Sequence, residues 1–209
     1  MALYPKLVRN LFLPLSLWRN GELAQRRYLR EFERTQYLST EAIRELQWQR
    51  LRALLHHAYA QCPFYRTRFD HAGMTPDDLR GLEDLRALPI LEKRDLQEQC
   101  EEMVARNWPR NDLIANQTGG STGAPVPFYL SKDRKCSRAA ATLRHNRWAG
   151  WRIGDRAAVI WGAPRDRPAD SWRARLRGVL LREPLWLDTA NITEASLAKF
   201  HTDLLRYRP

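Results

Sequence analysis

The residues best suited to chemistry lie together in one short stretch, Thr118-Gly119-Gly120-Ser121-Thr122-Gly123, followed by Ala124-Pro125. Three glycines in five positions remove Cβ atoms, so the backbone can take unusual angles and approach a ligand closely. Thr118, Ser121 and Thr122 add hydroxyl donors beside the amide N–H groups. Such a concavity can wrap phosphate oxygens without a fixed positive charge. The spacing is not that of a Walker A loop, because no Gly-Lys-Ser/Thr closes it. It is not a dinucleotide fingerprint or a Gly-x-Ser-x-Gly nucleophile elbow either. An ordinary Gly-rich hairpin draws on the same residue types, so on these residues alone both readings stay open.

Other reactive side chains are scattered. His56 and His57 are adjacent within a predicted helix, where neighbours point about 100° apart, so they make no two-ligand face. His71, His145 and His201 stand alone and read as surface groups. Ser121 has no His/Asp pattern around it. Lys93 opens a helix and reads as structural, paired with an acid. Cys62, Cys100 and Cys136 form no Cys-x-x-Cys unit, and an odd count builds no disulfide framework. Reduced core thiols follow, which favours the cytoplasm. No complete set of metal ligands is recognisable, so no protein metal site is expected.

The elements that must position the loop can be read around it. The chain predicts a helix capped by Thr40 and running to about Gln61, with Ile43, Leu46, Leu51, Leu54, Leu55 and Ala58 on one face. Cys62-Pro63 stops it. Thr75-Pro76-Asp77-Asp78 starts a short helix, and another follows Leu91, with Leu96, Cys100, Met103 and Val104 at helical spacing. From Leu113 the pattern changes. A strand over 113–116 leads into the loop and a strand over 126–130 leaves it, with Pro127 marking an edge. Ser131 caps a helix to Trp148. Gly150 and Gly154 make turns before a buried strand over 157–161, then come a basic helix over 171–181, a strand over 185–187 and a helix over 193–206. The fold class is α/β: a helical N-terminal region, then an incomplete mixed sheet with flanking helices. The expected division is an arm and helix over 1–38 and one domain over 39–209, helical over 39–110 and α/β over 111–209.

Composition narrows the function. With 44% hydrophobic residues and eight Trp, the 209-residue chain is not disordered. It has no apolar run of the roughly eighteen residues a membrane-spanning helix needs. Its 35 Lys+Arg against 24 Asp+Glu give a net charge of +11. Fourteen basic and four acidic residues fall between Lys132 and Arg182. A local excess of this size suggests a surface that meets anions. The N-terminus sets Lys6 and Arg9 before an apolar stretch from Leu11 to Trp18. It lacks a small-residue cleavage site and reads as an amphipathic arm, packed on the body or resting on a membrane surface.

The stretch from Thr118 to Pro125 resembles the phosphate-binding signature of the adenylate-forming superfamily. Upstream, Leu54-Leu55-His56-His57-Ala58, Cys62-Pro63-Phe64-Tyr65-Arg66, Leu82-Glu83-Asp84-Leu85 and the run from Leu88 to Leu96 resemble one branch of it. That branch is the phenylacetate–CoA ligase group with its capsular-polysaccharide biosynthesis relatives. Gly150-Trp151-Arg152-Ile153-Gly154-Asp155-Arg156 also fits. The resemblance covers about residues 47–209.

It implies part of an adenylate-forming large domain and a two-step ligase, in which ATP activates a carboxylic acid and a thiol such as CoA takes the acyl group. Thr118, Gly119, Gly120, Ser121, Thr122 and Gly123 would hold the ATP phosphates, with Mg²⁺ accompanying the nucleotide. This sequence departs from the family pattern in two ways. Ala124-Pro125-Val126 lacks the Lys that many members carry there. The family's later acidic, ribose-binding and C-terminal Lys motifs have no counterpart, so the chain is expected to be the front portion of a longer protein and inactive alone. The competing expectation is a non-catalytic basic module that binds nucleic acid or anionic membrane through residues 132–182.

Overall fold

The structure is a computed structural model that describes residues 3–118, 124–162 and 172–209, without the side chains of 173–175. The chain divides into two compact units, one made of residues 1–29 with 137–209 and the other of residues 30–136.

In the second unit, α3 (Ala24–Thr35) leads in from the first, and α4 (Thr40–Gln61) follows. The cap of α4 is Ser39, one residue earlier than expected; its hydroxyl accepts the Ala42 N–H at 3.2 Å. Ser39 is extended while Thr40 is already helical, so only Ser39 can present its oxygen to the open first turn. Leu54, expected on the packed face, is 60% exposed. The helix stops because the residue before a proline is pushed out of the α region, and Pro63 then opens α5 (Pro63–His71) at a position where its missing N–H is harmless. This turn buries Cys62, Phe64 and Phe69, and the Tyr59 ring stands edge-on to Phe69 at 5.6 Å.

Thr75 and Asp78 close a capping box around a single 3₁₀ turn, Pro76–Asp78, shorter than the helix expected there. The helix expected after Leu91 is broken into α6 (Lys93–Glu98) and a 3₁₀ turn, Cys100–Met103. β1 (Leu113–Gln117) and β2 (Pro127–Ser131) pair antiparallel, with Leu113 opposite Ser131 and Gln117 opposite Pro127. Ser131 then caps α7 (Lys132–Trp148) by accepting the Arg134 N–H, as expected.

In the first unit, α1 (Leu3–Leu7), a π-helical turn (Val8–Phe12) and α2 (Leu13–Arg19) run on from one another, with helical dihedrals at both junctions. β3 (Ala158–Trp161) and β4 (Leu185–Asp188) pair parallel, α8 (Trp172–Leu181) lies between them in sequence, and α9 (Glu194–Tyr207) follows, capped by Thr193. Val8, Leu17, Ala140, Leu187 and Phe200 are buried. β3 is less buried than its apolar sequence suggests, with Ile160 62% and Trp161 52% exposed. Gly154, at φ +89°, lets the turn before β3 press against the N-terminal helix; a Cβ there would stand 3.0 Å from Pro5 Cα and from Val8 Cβ.

The helical N-terminal region and the strands with flanking helices are therefore present. Among the described residues the strands form two two-stranded sheets, one antiparallel and one parallel.

Candidate functional site

The site is built on the β1–β2 hairpin, whose strands carry the loop at their far end. Beyond the last ladder pair the two stems are joined once more. The Thr118 N–H donates to the Val126 carbonyl and the Val126 N–H donates to Thr118 Oγ1, both at 3.0 Å. Thr118 thus forms the neck of the loop, and seven residues lie between these partners. Its hydroxyl oxygen accepts a bond, which leaves the hydroxyl proton to be donated elsewhere. Gln117 is satisfied locally, its N–H donating to Asn116 Oδ1 at 2.8 Å.

The outgoing stem is held from the side by the α6 region. Gln97 Nε2 donates to the Ala124 carbonyl at 3.0 Å, and Cys100 Sγ lies 3.5 Å from the Pro127 carbonyl. Farther along β2, Tyr129 donates its hydroxyl proton to Glu101 Oε1, while Arg110 donates to Glu101 Oε2 at 2.6 Å. The Tyr129 bond first, and then the Arg110 guanidinium, hold the Glu101 carboxyl below the usual carboxylate range. The same bond raises the Tyr129 phenol above its ordinary value. At the open end of the hairpin Lys132 pairs with Asp112 at 3.6 Å.

The α6 region is fixed in its turn by Arg68 on α5. Its Nη2 donates to the carbonyls of Pro89 and Ile90 at 2.6 and 2.5 Å, and its Nη1 reaches Asp95 Oδ2 at 3.4 Å. The same Asp95 oxygen accepts the Glu92 N–H at 2.9 Å and so starts α6. A chain of contacts therefore runs from α5 through α6 to the loop stem. Beside it lies a cleft of about 390 Å³, lined mainly by apolar side chains such as Tyr65, Leu96, Met103 and Phe128, together with Ser131 and Arg134. A cleft of this volume is within the range that takes small molecules.

The chain is similar to phenylacetate–coenzyme A ligases. It is 35% identical to that of Pseudomonas putida over 125 residues, 59% of this chain and 28% of the relative. It is 33% identical to that of Escherichia coli over 124 residues, again 59% and 28%, and 37% identical to that of Thermus thermophilus over 100 residues, 47% and 22%. The chain thus spans less than a third of the length of these curated relatives. No protein-family model matches it. A solved 2-hydroxyisobutyryl-CoA ligase, in an open conformation with 2-HIB-AMP and CoA, superposes with a TM-score of 0.54 at 24% identity, over 77% of this chain and 35% of that one. The same ligase in its thioesterification state gives 0.53. The chain has the mixed α/β fold of part of such a ligase.

Of the residues read as the phosphate loop, Thr118 is at the neck, while Gly119, Gly120, Ser121, Thr122 and Gly123 lie outside the described residues. Arg165 and Arg167 of the basic block do too. Three arginines of that block are tied down inside their own unit. Arg156 donates to the Tyr207 carbonyl at 2.6 Å, Arg177 pairs with Glu183 at 3.2 Å, and Arg182 donates to the Gly154 carbonyl at 3.1 Å. Lys93 is exposed at the first position of α6 and makes no ion pair among the described residues. His56 lies 3.4 Å from Asp77, close to Arg52. Among the described residues no three of His, Cys, Asp and Glu gather to hold a metal. Cys62, Cys100 and Cys136 are not joined in disulfides, and burial pushes the Cys62 thiol up.

The residues that sequence reasoning missed are Arg68, Gln97, Glu101 and Tyr129. Nothing local marks Arg68, whose partners Pro89 and Ile90 stand 21 and 22 residues away. The run from Leu88 to Leu96 stands out in the sequence only for its resemblance to the ligases, which does not indicate the residue that holds it.

Proposed function

We propose that this chain supplies the phosphate-handling part of an ATP-dependent, carboxylate-activating enzyme of the phenylacetate–CoA ligase kind. In that reaction a carboxylate oxygen attacks the α-phosphorus of ATP, giving an acyl-adenylate and releasing pyrophosphate. The sulfur of CoA, or of another thiol, then attacks the acyl carbon, and AMP leaves with the bonding pair. The observation that carries the reading is the clamped hairpin. Its neck is closed by Thr118 and Val126, and its outgoing stem is fixed by Gln97, so the Gly/Ser/Thr-rich segment is held on a rigid base. Donors carried on a fixed stem, the Thr118 hydroxyl among them, can meet the charge that moves among phosphate oxygens with little reorganisation. The Thr118 hydroxyl proton fits the task as a donor to such an oxygen.

With no Lys directly after Pro125, backbone amides, hydroxyls and the Mg²⁺ that arrives on the nucleotide would meet the phosphate charge. The similarity to ligases from three bacteria supports an acid and a thiol as the reactants. Reduced thiols support a cytoplasmic setting. The resemblance to capsular-polysaccharide relatives supports a place in surface-polysaccharide assembly.

The reading is tested by calorimetric binding of Mg-ATP to the chain and by carboxylate-dependent ATP–pyrophosphate exchange in the whole protein. Gly120→Val introduces a branched side chain where close approach is needed and should weaken binding at least tenfold and abolish exchange. Unchanged binding or exchange in that variant overturns the phosphate role.

A further inference from the structure

The N-terminal helix carries a line of apolar side chains that no described residue of its own unit covers. Leu3, Leu7, Leu11, Leu15 and Trp18 are 73%, 38%, 55%, 57% and 67% exposed. They recur at intervals of four, four, four and three residues. On a regular α-helix a four-residue step drifts by about 40°, and such a row would wind away. The π-helical turn over Val8–Phe12 rotates less per residue, so it removes that drift at the step from Leu7 to Leu11. The row is kept in register.

The helix is also anchored. Pro5, Val8 and Leu17 on its other side are buried. Tyr4 donates its hydroxyl proton to the Val179 carbonyl at 2.9 Å, and the Arg182 guanidinium stacks on the Tyr4 ring at 4.5 Å. Arg9 reaches Asp155 at 3.7 Å, and Gly154 admits Pro5 and Val8 to close approach. A single exposed Leu needs no account, but four leucines and a tryptophan in line on a fixed helix form a patch with a direction.

Charge indicates what the patch meets. No acidic residue occurs between Leu3 and Asn20, while Lys6, Arg9 and Arg19 do. The unit that bears this helix has nineteen basic and eight acidic side chains, and the other unit has sixteen of each, so the whole net +11 belongs to the former.

We propose that this helix is a peripheral membrane contact. The row from Leu3 to Trp18 enters the headgroup–acyl boundary of a bilayer containing anionic lipid, and the surrounding cations meet the headgroups. A helix with one face buried in protein can lie along a surface but cannot cross it, and Trp18 is the residue type favoured at that boundary. Cations without intervening acids suit a lipid surface better than a protein partner, and nucleic acid offers no apolar layer for a row of leucines. The inference stands independently of the ATP reading.

Vesicle flotation of the chain tests it, with phosphatidylcholine vesicles alone and with vesicles carrying 30% phosphatidylglycerol. The chain should float with the anionic vesicles, at least tenfold less with the neutral ones, and less again as salt rises. Leu11→Glu with Leu15→Glu replaces exposed residues, so the circular dichroism and thermal midpoint should be unchanged while flotation falls at least tenfold. Lys6→Glu with Arg19→Glu should abolish the preference for anionic lipid. Failure of the chain to float, or equal flotation of the Leu11/Leu15 variant, overturns the proposal. It is likewise overturned if the chain does not float but is dimeric, and that variant returns it to a monomer; the row would then be a contact between copies.

Discussion

Arg68 satisfies two consecutive carbonyls, Pro89 and Ile90, and reaches the carboxylate that starts α6. Its guanidinium also lies over the Phe64 ring at 5.2 Å. A planar fork can serve carbonyl, carboxylate and ring together, which an ammonium cannot do. The Arg68 side chain is 20% and its Asp95 partner 25% exposed, so truncation loses packing and a part-buried charge pair, while the carbonyls of the exposed Pro89 and Ile90 can turn to water. Arg68→Ala should therefore destabilise the chain by about 1–2 kcal/mol, and Arg68→Lys should recover only a minor part of that. Urea unfolding of the three proteins measures it. A loss under about 0.5 kcal/mol, ordinary for a surface substitution, would remove Arg68 from the account. Glu101 and Tyr129 form a smaller device of the same sort. The carboxyl is held low and the phenol high, so Tyr129 keeps its proton and donates it to an ionised Glu101 across the neutral range, which fixes β2 there.

Among the elements, the turn from Gly150 to Asp155 has the clearest physical explanation. Gly150 and Gly154 both have positive φ, and Asp155 Oδ2 accepts the Arg152 N–H at 2.9 Å, closing the turn. Gly154 has two independent reasons to be glycine: its left-handed backbone and the 3.0 Å approach of Pro5 and Val8. The obstructing atoms are backbone and a branched side-chain root, neither of which can swing aside. Gly154→Ala should cost about 2–4 kcal/mol, seen as a lowered thermal midpoint, whereas Gly81→Ala, with no atom within 4 Å of the added Cβ and no left-handed φ, should change it little. Equal effects at the two positions would show that the turn does not depend on close approach. The helix start at Ser131 and the β1–β2 hairpin were legible because each is decided by a few neighbouring residues, whereas the α4 cap falls on Ser39 and not on Thr40. The break between α6 and the Cys100 turn was not, since apolar spacing alone cannot separate one helix from two short ones.

At the scale of the whole molecule, charge is divided by unit. The +11 looked in the sequence like a property of a basic block over 132–182, yet the unit of residues 1–29 and 137–209 accounts for all of it. In the neutral unit many cations sit beside acids on the same element, such as Arg86 with Glu83 at 2.9 Å and Arg94 with Glu98 at 2.7 Å. Retention on a cation exchanger should follow the unbalanced unit. Lys6→Glu with Arg19→Glu should lower the eluting salt concentration more than Arg86→Glu with Arg94→Glu, although both pairs change the net charge equally. Identical shifts would mean that the exchanger reads only the total.

The sequence by itself determined most of the elements, the hairpin that bears the Gly/Ser/Thr loop, and the resemblance to adenylate-forming ligases. Caps, proline stops, glycine turns and a contiguous motif all act over a few residues, so their logic is written locally. Tertiary structure alone decided that Arg68 and Gln97 brace the loop's stem. It also decided that the strands pair as two small sheets, and that the N-terminal segment is anchored with Leu3, Leu7, Leu11 and Leu15 outward. Those outcomes join residues far apart in the chain, as when Tyr4 meets Val179, and no local pattern encodes which distant carbonyl or ring will be the partner.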